Sequence, residues 1–235
     1  MIAEIGYHRT RLNVEFPDTS RIYHSSYDTP ASPAAELVLE AVRHPIASKS
    51  LVDSLKQRPR HNVIIAVSDI TRPIPYRAFL PALLHEIASA GIDRKRITIL
   101  IAAGMHRPST AEERLFMFGK EVAENYTIVD HDAEGDMADL PGTSYSGAPV
   151  KLNRLFAKSD YKIVIGLVEP HFMAGFSGGR KTLCPGLSSL ETIQHFHGYE
   201  FLSHASVVTG QLAGNPCHEE ALSVARLAGV DFSIQ

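Results

Sequence analysis

The sequence predicts an α/β fold: a doubly wound, mostly parallel, Rossmann-like sheet with helices on both faces and a small N-terminal β element. Three observations lead there. Continuous apolar runs at 62–67, 96–103 and 162–168 mark strands buried on both faces, as in a parallel sheet. Helical patterns lie between strands, so the connections are crossovers. Each run ends in a polar cluster, and such sheets bind ligands outside the carboxyl ends of their strands.

The elements follow in order. Residues 2–16 alternate loosely and carry β-branched side chains, which predicts one or two strands and a possible hairpin before a turn at Pro17-Asp18. Residues 18–33 are rich in Ser, Tyr, Asp and Pro and read as a loop. Ala34 to Val42 is a helix, with Ser32 as N-cap and Pro33 at its first position. Ser50 to Lys56 is a second, shorter one. After the strand at 62–67, residues 76–90 form an amphipathic helix closed by Gly91. After the strand at 96–103, Ser109-Thr110-Ala111-Glu112-Glu113 is a capped helix start, with the helix running to about Phe118. Tyr126 to Val129 is a short strand. Residues 130–148 are polar and Gly-rich, a β-ribbon or loop, and 150–156 is mixed. Beyond the strand at 162–168, Ser188 to Ile193 opens another capped helix, and Glu219 to Leu227 is the last.

Composition bounds the function. With 44% hydrophobic and 21% charged residues over 235, the composition is ordinary for a soluble globular protein and the chain is long enough for one large domain or two small ones; the alternating strands and helices are read as a single α/β domain over 1–235. A net charge of −3 gives no electrostatic case for nucleic acid. Cys184 and Cys217 form no CxxC pair, so neither a disulfide framework nor a cysteine zinc site is implied. Met1-Ile2-Ala3-Glu4-Ile5 lacks a charged start and an apolar core, and no run approaches membrane-spanning length, so a cytoplasmic setting is expected.

The strand at 162–168 delivers the chain to its densest stretch of chemistry, Glu169-Pro170-His171 through Gly175-Phe176-Ser177-Gly178-Gly179-Arg180-Lys181. Glycines let a backbone approach a bound group, and consecutive N–H groups suit an anion. A P-loop would need a glycine where Arg180 stands and a long helix behind it, but Pro185-Gly186 follows four residues after Lys181. The bland alternative is a tight turn with a solvated Arg-Lys pair. Two further clusters, Asp69/Thr71/Arg72 and His106/Arg107, close the strands at 62–67 and 96–103. Each alone reads as caps and surface charge, but three on one rim point to a site.

Histidines add to it. His195 and His197 sit two apart and diverge on a helix, so at most one faces the site. Zinc would need His106, His171 and one of these to converge. A two-histidine acid/base pair, with proton removal on one face of a carbon and delivery on the other, fits equally. His204 and His218 have no motif context.

Ser68-Asp69-Ile70-Thr71-Arg72-Pro73, Gly104-Met105-His106-Arg107-Pro108, Glu169-Pro170-His171 with Ala174 to Lys181, Pro185-Gly186 and the His195/His197 pair, in this order, resemble the nickel-pincer lactate racemase family from about residue 30 onward. The resemblance implies a 2-hydroxy acid racemase or epimerase, its substrate a small 2-hydroxy acid such as lactate. It also implies a nickel-pincer nucleotide, a pyridinium-3,5-bisthiocarboxylic acid mononucleotide clamping nickel and made by dedicated biosynthesis enzymes. Lys181 would tether it and His197 ligate nickel. Asp69, Thr71, Arg72, Gly175, Ser177, Gly178 and Gly179 would lie beside it, with Arg72 on the substrate carboxylate. His106 and His171 would trade the hydroxyl proton while the cofactor accepts and returns a hydride. A histidine can take a hydroxyl proton near neutral pH far more readily than a carbon-bound one. Family members continue into a second, closing domain, whereas Ala228 to Gln235 reads as a strand just beginning, so weak or no turnover is expected of this chain alone. Other readings are a metal-free phosphate- or nucleotide-binding enzyme, a zinc-dependent hydrolase using His106, His171 and His197, and a cofactor carrier without catalysis.

Overall fold

The computed structural model describes residues 1–7, 10–23, 32–57 and 62–235; the middle of the expected 18–33 loop lies outside them. The chain divides into two units, 1–31 and 32–235. In the first, strands β1 (Ile2–Tyr7) and β2 (Thr10–Glu15) form an antiparallel hairpin with Ile5 opposite Leu12 and Ala3 opposite Val14. Its other face is polar and carries the Arg11–Glu4 pair at 2.8 Å.

The second unit holds the fold. It runs α1 (Ala34–Arg43), α2 (Leu51–Lys56), β3 (Val63–Ser68), α3 (Tyr76–Ser89), β4 (Ile97–Ala102), α4 (Ala111–Asn125) and β5 (Thr127–Asp130). An antiparallel ribbon follows, β6 (Met137–Thr143) with β7 (Pro149–Asn153), then α5 (Arg154–Lys158) and β8 (Tyr161–Ile165). The two-residue pair β9 (Pro170–His171) and β10 (Gly175–Phe176) precedes α6 (Gly179–Leu183), α7 (Leu190–Phe196), α8 (Tyr199–Leu202), α9 (Pro216–Ala228) and β11 (Phe232–Ile234).

Five parallel strands stand in the order β11-β8-β3-β4-β5. The chain first steps outward from β3 to β5, then returns to β8 on the other side of β3. The topological switch point is therefore between β3 and β8, where loops leave in opposite directions and open a crevice. Alternation within β3 builds two cores. Val63, Ile65 and Val67 pack under α1–α4 with Tyr76, Leu80, Leu83 and Phe118. Ile64 and Ala66 pack on the other face with Leu152, Phe156, Leu183, Phe196 and Val224. Because both faces are covered, no polar residue interrupts the run, which is why the strand showed in the sequence.

Local chemistry sets the ends. Thr110 and Glu113 make the expected reciprocal cap of α4. That helix outruns Phe118: Gly119, at φ +77°, breaks it, and helical turns resume to Asn125. Pro33 occupies the N-cap of α1 rather than its first turn, and no side chain caps that helix. The strand expected over 162–168 stops at Ile165. Gly166 still donates to Ile234 at 2.9 Å, after which the Leu167 carbonyl is taken by the Ser177 hydroxyl and the chain leaves the sheet. Among the described residues no helix is long and apolar enough to cross a membrane.

Candidate active site

The loops after β3, β4 and β8 line one open cavity of about 280 Å³ at the switch point. Asp69, Thr71 and Arg72 come from the first, His106 from the second, and His171, Ser177, Gly178 and Lys181 from the third, with His197 added from the end of α7. The Tyr76 hydroxyl accepts from the Ser68 N–H at 2.8 Å and donates to its carbonyl, so the turn bearing Asp69 to Arg72 is pinned to α3. Gly104 donates to the Gly186 carbonyl at 3.0 Å, tying the His106 loop to the chain after α6. A side chain at Gly186 would come within 2.4 Å of the Thr182 carbonyl.

His106 and His171 are held in opposite ways. The His106 Nδ1 lies 2.7 Å from Asp69 Oδ2, and the Thr71 hydroxyl donates to the other Asp69 oxygen at 2.6 Å. A carboxylate only accepts, so Nδ1 carries the proton and the His106 Nε2 is left as a base. At His171 the Met173 and Ala174 N–H groups donate to Nδ1 at 3.1 and 3.3 Å. Nδ1 is the acceptor there, so the neutral ring bears its proton on Nε2. Lys181 Nζ lies 2.7 Å from that atom.

Electrostatics disfavour the charged forms of His171, Lys181 and His197. Burial first, then the charges of Lys181, Arg72 and Arg180, push the His171 pKa down to about 4. Burial first, then Arg72 and Arg180, push Lys181 down to about 8. His197 is lowered by desolvation and then by Lys181. A neutral imidazole is the form that ligates a metal or takes a proton.

Several predicted residues have other work. The Ser177 hydroxyl is buried and accepts from the Glu169 N–H at 2.9 Å, making it a brace within its own loop. Gly175 sits outside the cavity lining; at φ +74°, a Cβ there would meet the Gln211 carbonyl at 2.1 Å. The Gly179 N–H donates to the Gln235 side chain at 2.7 Å. His195 turns away and bonds the Ser146 hydroxyl at 2.7 Å. Among the described residues no three His, Cys, Asp or Glu side chains group as a metal site, so the zinc reading finds no ligand set there.

Two residues were missed. Arg180, given no role beyond a solvated cation in the bland alternative, is half-buried and donates to the carbonyls of Ser177, Phe176 and Ala174 at 2.9, 2.8 and 3.1 Å. Glu169 faces Arg72 at 3.8 Å, half-open to solvent. The sequence carried a weak hint of each: a cation directly after three loop glycines, and a carboxylate at a strand's carboxyl end.

Fold and site together define a doubly wound α/β domain with a basic, histidine-rich cavity at its switch point. The family model of the lactate racemase N-terminal domain matches residues 7–210. This chain belongs to that family. It is 36% identical over 235 residues to lactate racemase from Thermoanaerobacterium thermosaccharolyticum, an alignment covering 97% of this chain and 54% of that protein. It is 38% identical over 200 residues to lactate racemase from Lactiplantibacillus plantarum, covering 85% and 46%. The solved lactate racemase apoprotein of the Thermoanaerobacterium species superposes with a TM-score of 0.82 at 34% identity, over 98% of this chain and 54% of that one. A Thermotoga maritima protein shares the fold alone, at TM-score 0.62 and 22% identity, over 75% of this chain and 46% of its own. The chain thus spans about half the length of the curated relatives it matches.

Proposed function

We propose that this chain is the cofactor-binding part of a racemase for lactate or a closely similar 2-hydroxy acid, working with a nickel-pincer nucleotide. The observation that carries the reading is the convergence of His106, His171, Lys181, His197 and Arg72 on one cavity. The named activity of the two curated relatives supports the substrate class.

The residues fit such a group. Lys181 offers a half-buried primary amine of lowered pKa on the cavity wall, suited to a covalent tether. His197 offers one neutral nitrogen. With no three-residue metal cluster among the described side chains, a metal here needs most of its donors from the bound group itself, as a pincer provides. When bound, the nucleotide supplies an acceptor for the hydrogen on the substrate's α-carbon. The chain's own residues do the rest. Arg72 grips the carboxylate with its two-pronged guanidinium. His106, poised as a base by Asp69, takes the hydroxyl proton of one enantiomer. His171, with a proton on Nε2, returns one from its own side, and the roles reverse for the other enantiomer.

The test is intact-mass and metal analysis of protein co-produced with the cofactor-making enzymes. A mass increment mapping to Lys181, bound nickel, and loss of the increment in Lys181→Ala are expected. Interconversion of lactate enantiomers is expected from a chain extended over the remaining length of its relatives. An extended chain that racemises lactate with Lys181 unmodified would overturn the tether.

A further inference from the structure

We propose that before loading His171 holds Lys181 as a neutral amine by donating its Nε2 proton to Nζ, and that acylation of Nζ then frees the imidazole for the substrate. The turn that follows His171 decides the matter. Two backbone N–H groups, from Met173 and Ala174, point at Nδ1. A proton there would face both donors head-on, so the ring is neither the Nδ1–H tautomer nor imidazolium. Its one proton is on Nε2, and that atom lies 2.7 Å from Lys181 Nζ. A donor needs an acceptor. A neutral amine has one lone pair and an ammonium has none, so the contact is a hydrogen bond only with uncharged Lys181. A charged lysine would have to donate into Nε2, which forces the proton back onto Nδ1 and breaks the turn.

The surroundings lean the same way, lowering Lys181 to about 8, and the hydrogen bond from Nε2 is what carries the amine to its neutral form at pH 7. Arg72 and Arg180 disfavour a third positive charge at Nζ, and burial adds the largest share; Cys184 and Cys217 oppose them weakly. His197, the other histidine facing the amine, has its own charged form disfavoured first by burial, so it offers the amine no anion and no acceptor stronger than a neutral ring. The β9–β10 pairing of His171 with Gly175 and the Arg180 contacts to the Ala174, Phe176 and Ser177 carbonyls hold the turn in place.

Acylation reverses the relation. The Nζ lone pair forms a bond to the acyl carbon, the bond from that carbon to its leaving group breaks, and Nζ sheds one proton to solvent. The lone pair is then delocalised into the new amide, so nitrogen no longer accepts. The His171 Nε2–H loses its partner and turns to the cavity. His171 is thus a positioning residue for the lysine before it serves the substrate. Release has a use only where Lys181 is the tether, as proposed above.

Two measurements on the 235-residue chain decide it. Long-range proton–nitrogen spectra of histidine-labelled protein at pH 7, assigned with His171→Gln, are expected to show the Nε2–H tautomer; the Nδ1–H tautomer or imidazolium overturns the idea. Limiting acetic anhydride, with acetate as leaving group, reads the amine. Because the neutral fraction rises about tenfold per pKa unit lost, Lys181 is expected to acetylate roughly tenfold or more faster than exposed Lys120, and its acetylation to speed exchange of the His171 Nε2 proton with water. In His171→Leu the Lys181 rate is expected to fall but to stay above that of Lys120, because burial, Arg72 and Arg180 still lower the amine; an unchanged rate overturns the hydrogen bond, and if that variant does not fold, the tautomer of the parent chain still decides. A fast Lys181 in protein that takes up no cofactor counts against the tether alone. A Lys181 no faster than Lys120 overturns the hydrogen bond, whatever the adduct.

Discussion

Asp69 and His106, at the ends of neighbouring strands β3 and β4, are joined at 2.7 Å from Oδ2 to Nδ1. The pairing does for His106 the reverse of what two backbone N–H groups do for His171. One imidazole is left with a free lone pair on Nε2 and the other with a proton there. A reaction that passes a planar intermediate between two faces needs such a pair, one base and one acid.

Asp69→Asn removes the anion that fixes His106. Loss of a carboxylate that orients a histidine costs on the order of 10- to 100-fold where that histidine ligates a metal, and at least that scale is expected for an orienting partner of an acid/base histidine. The rate of lactate racemisation by the loaded chain, extended over the remaining length of its relatives, is expected to fall by that factor, while the Lys181 adduct, counted by mass, is unchanged.

Glu169→Gln is expected to act in the opposite direction. The 3.8 Å contact with Arg72 is too long for a hydrogen bond and half-open to water, so it is worth at most about 1 kcal/mol. Removing the carboxylate leaves Arg72 free for the substrate's. KM for lactate should drop by up to about fivefold with kcat nearly constant. Initial rates across substrate concentration separate the two.

The strands and their carboxyl ends were legible because β3, β4 and β8 are covered on both faces and therefore written as unbroken apolar runs. The clusters after them fell on the rim where the topology puts a ligand. Arg180 was not legible. Its partners are backbone carbonyls of residues 174, 176 and 177, and carbonyls leave no mark in a sequence. Nor was the division of labour in the glycine-rich loop. Gly175 answers to the nearby Gln211 backbone and Ser177 braces its own loop as well as lining the cavity, and a pattern of small residues reads the same either way.

Arg180→Ala strips three carbonyls of a charged donor at the base of that loop. Hydrogen bonds to charged groups are worth about 1.5–3 kcal/mol each when broken, but water reaches this half-buried site and the Ala174 carbonyl keeps the Phe176 N–H. A loss of about 2–3 kcal/mol is expected, read as a lowered urea midpoint with an unchanged slope. Faster hydrogen exchange should be confined to residues 171–178.

Acid should destabilise the fold over a defined window. The His171 pKa falls from 6.5 to about 4 on folding, chiefly through burial, so between those values the unfolded chain binds more protons. Stability then falls as pH drops from about 6.5 to 4. His131, buried between the Ser188 carbonyl and Asn153, and His197 and His218 are lowered too and add the same sign. Urea midpoints from pH 7 to 4 should decline in the parent chain and decline less in His171→Gln.

His197→Ala separates tethering from metal retention. The imidazole reaches the cavity from the end of α7, on a different element from Lys181, and no hydrogen bond joins the two side chains among those described. Removing it therefore keeps the Lys181–His171 hydrogen bond, with only a minor electrostatic change at His171. If His197 contributes one nitrogen to nickel while the bound nucleotide contributes the rest, the variant should carry the full mass increment on Lys181. It should lose nickel to a mild chelator roughly 10- to 100-fold faster than the parent, the scale on which a weakened metal site responds. His195→Ala, whose imidazole points instead at Ser146, should hold nickel like the parent. Equal nickel loss in both variants would place the metal ligand elsewhere in the cavity, and nickel loss in His195→Ala alone would exchange the roles of the two histidines.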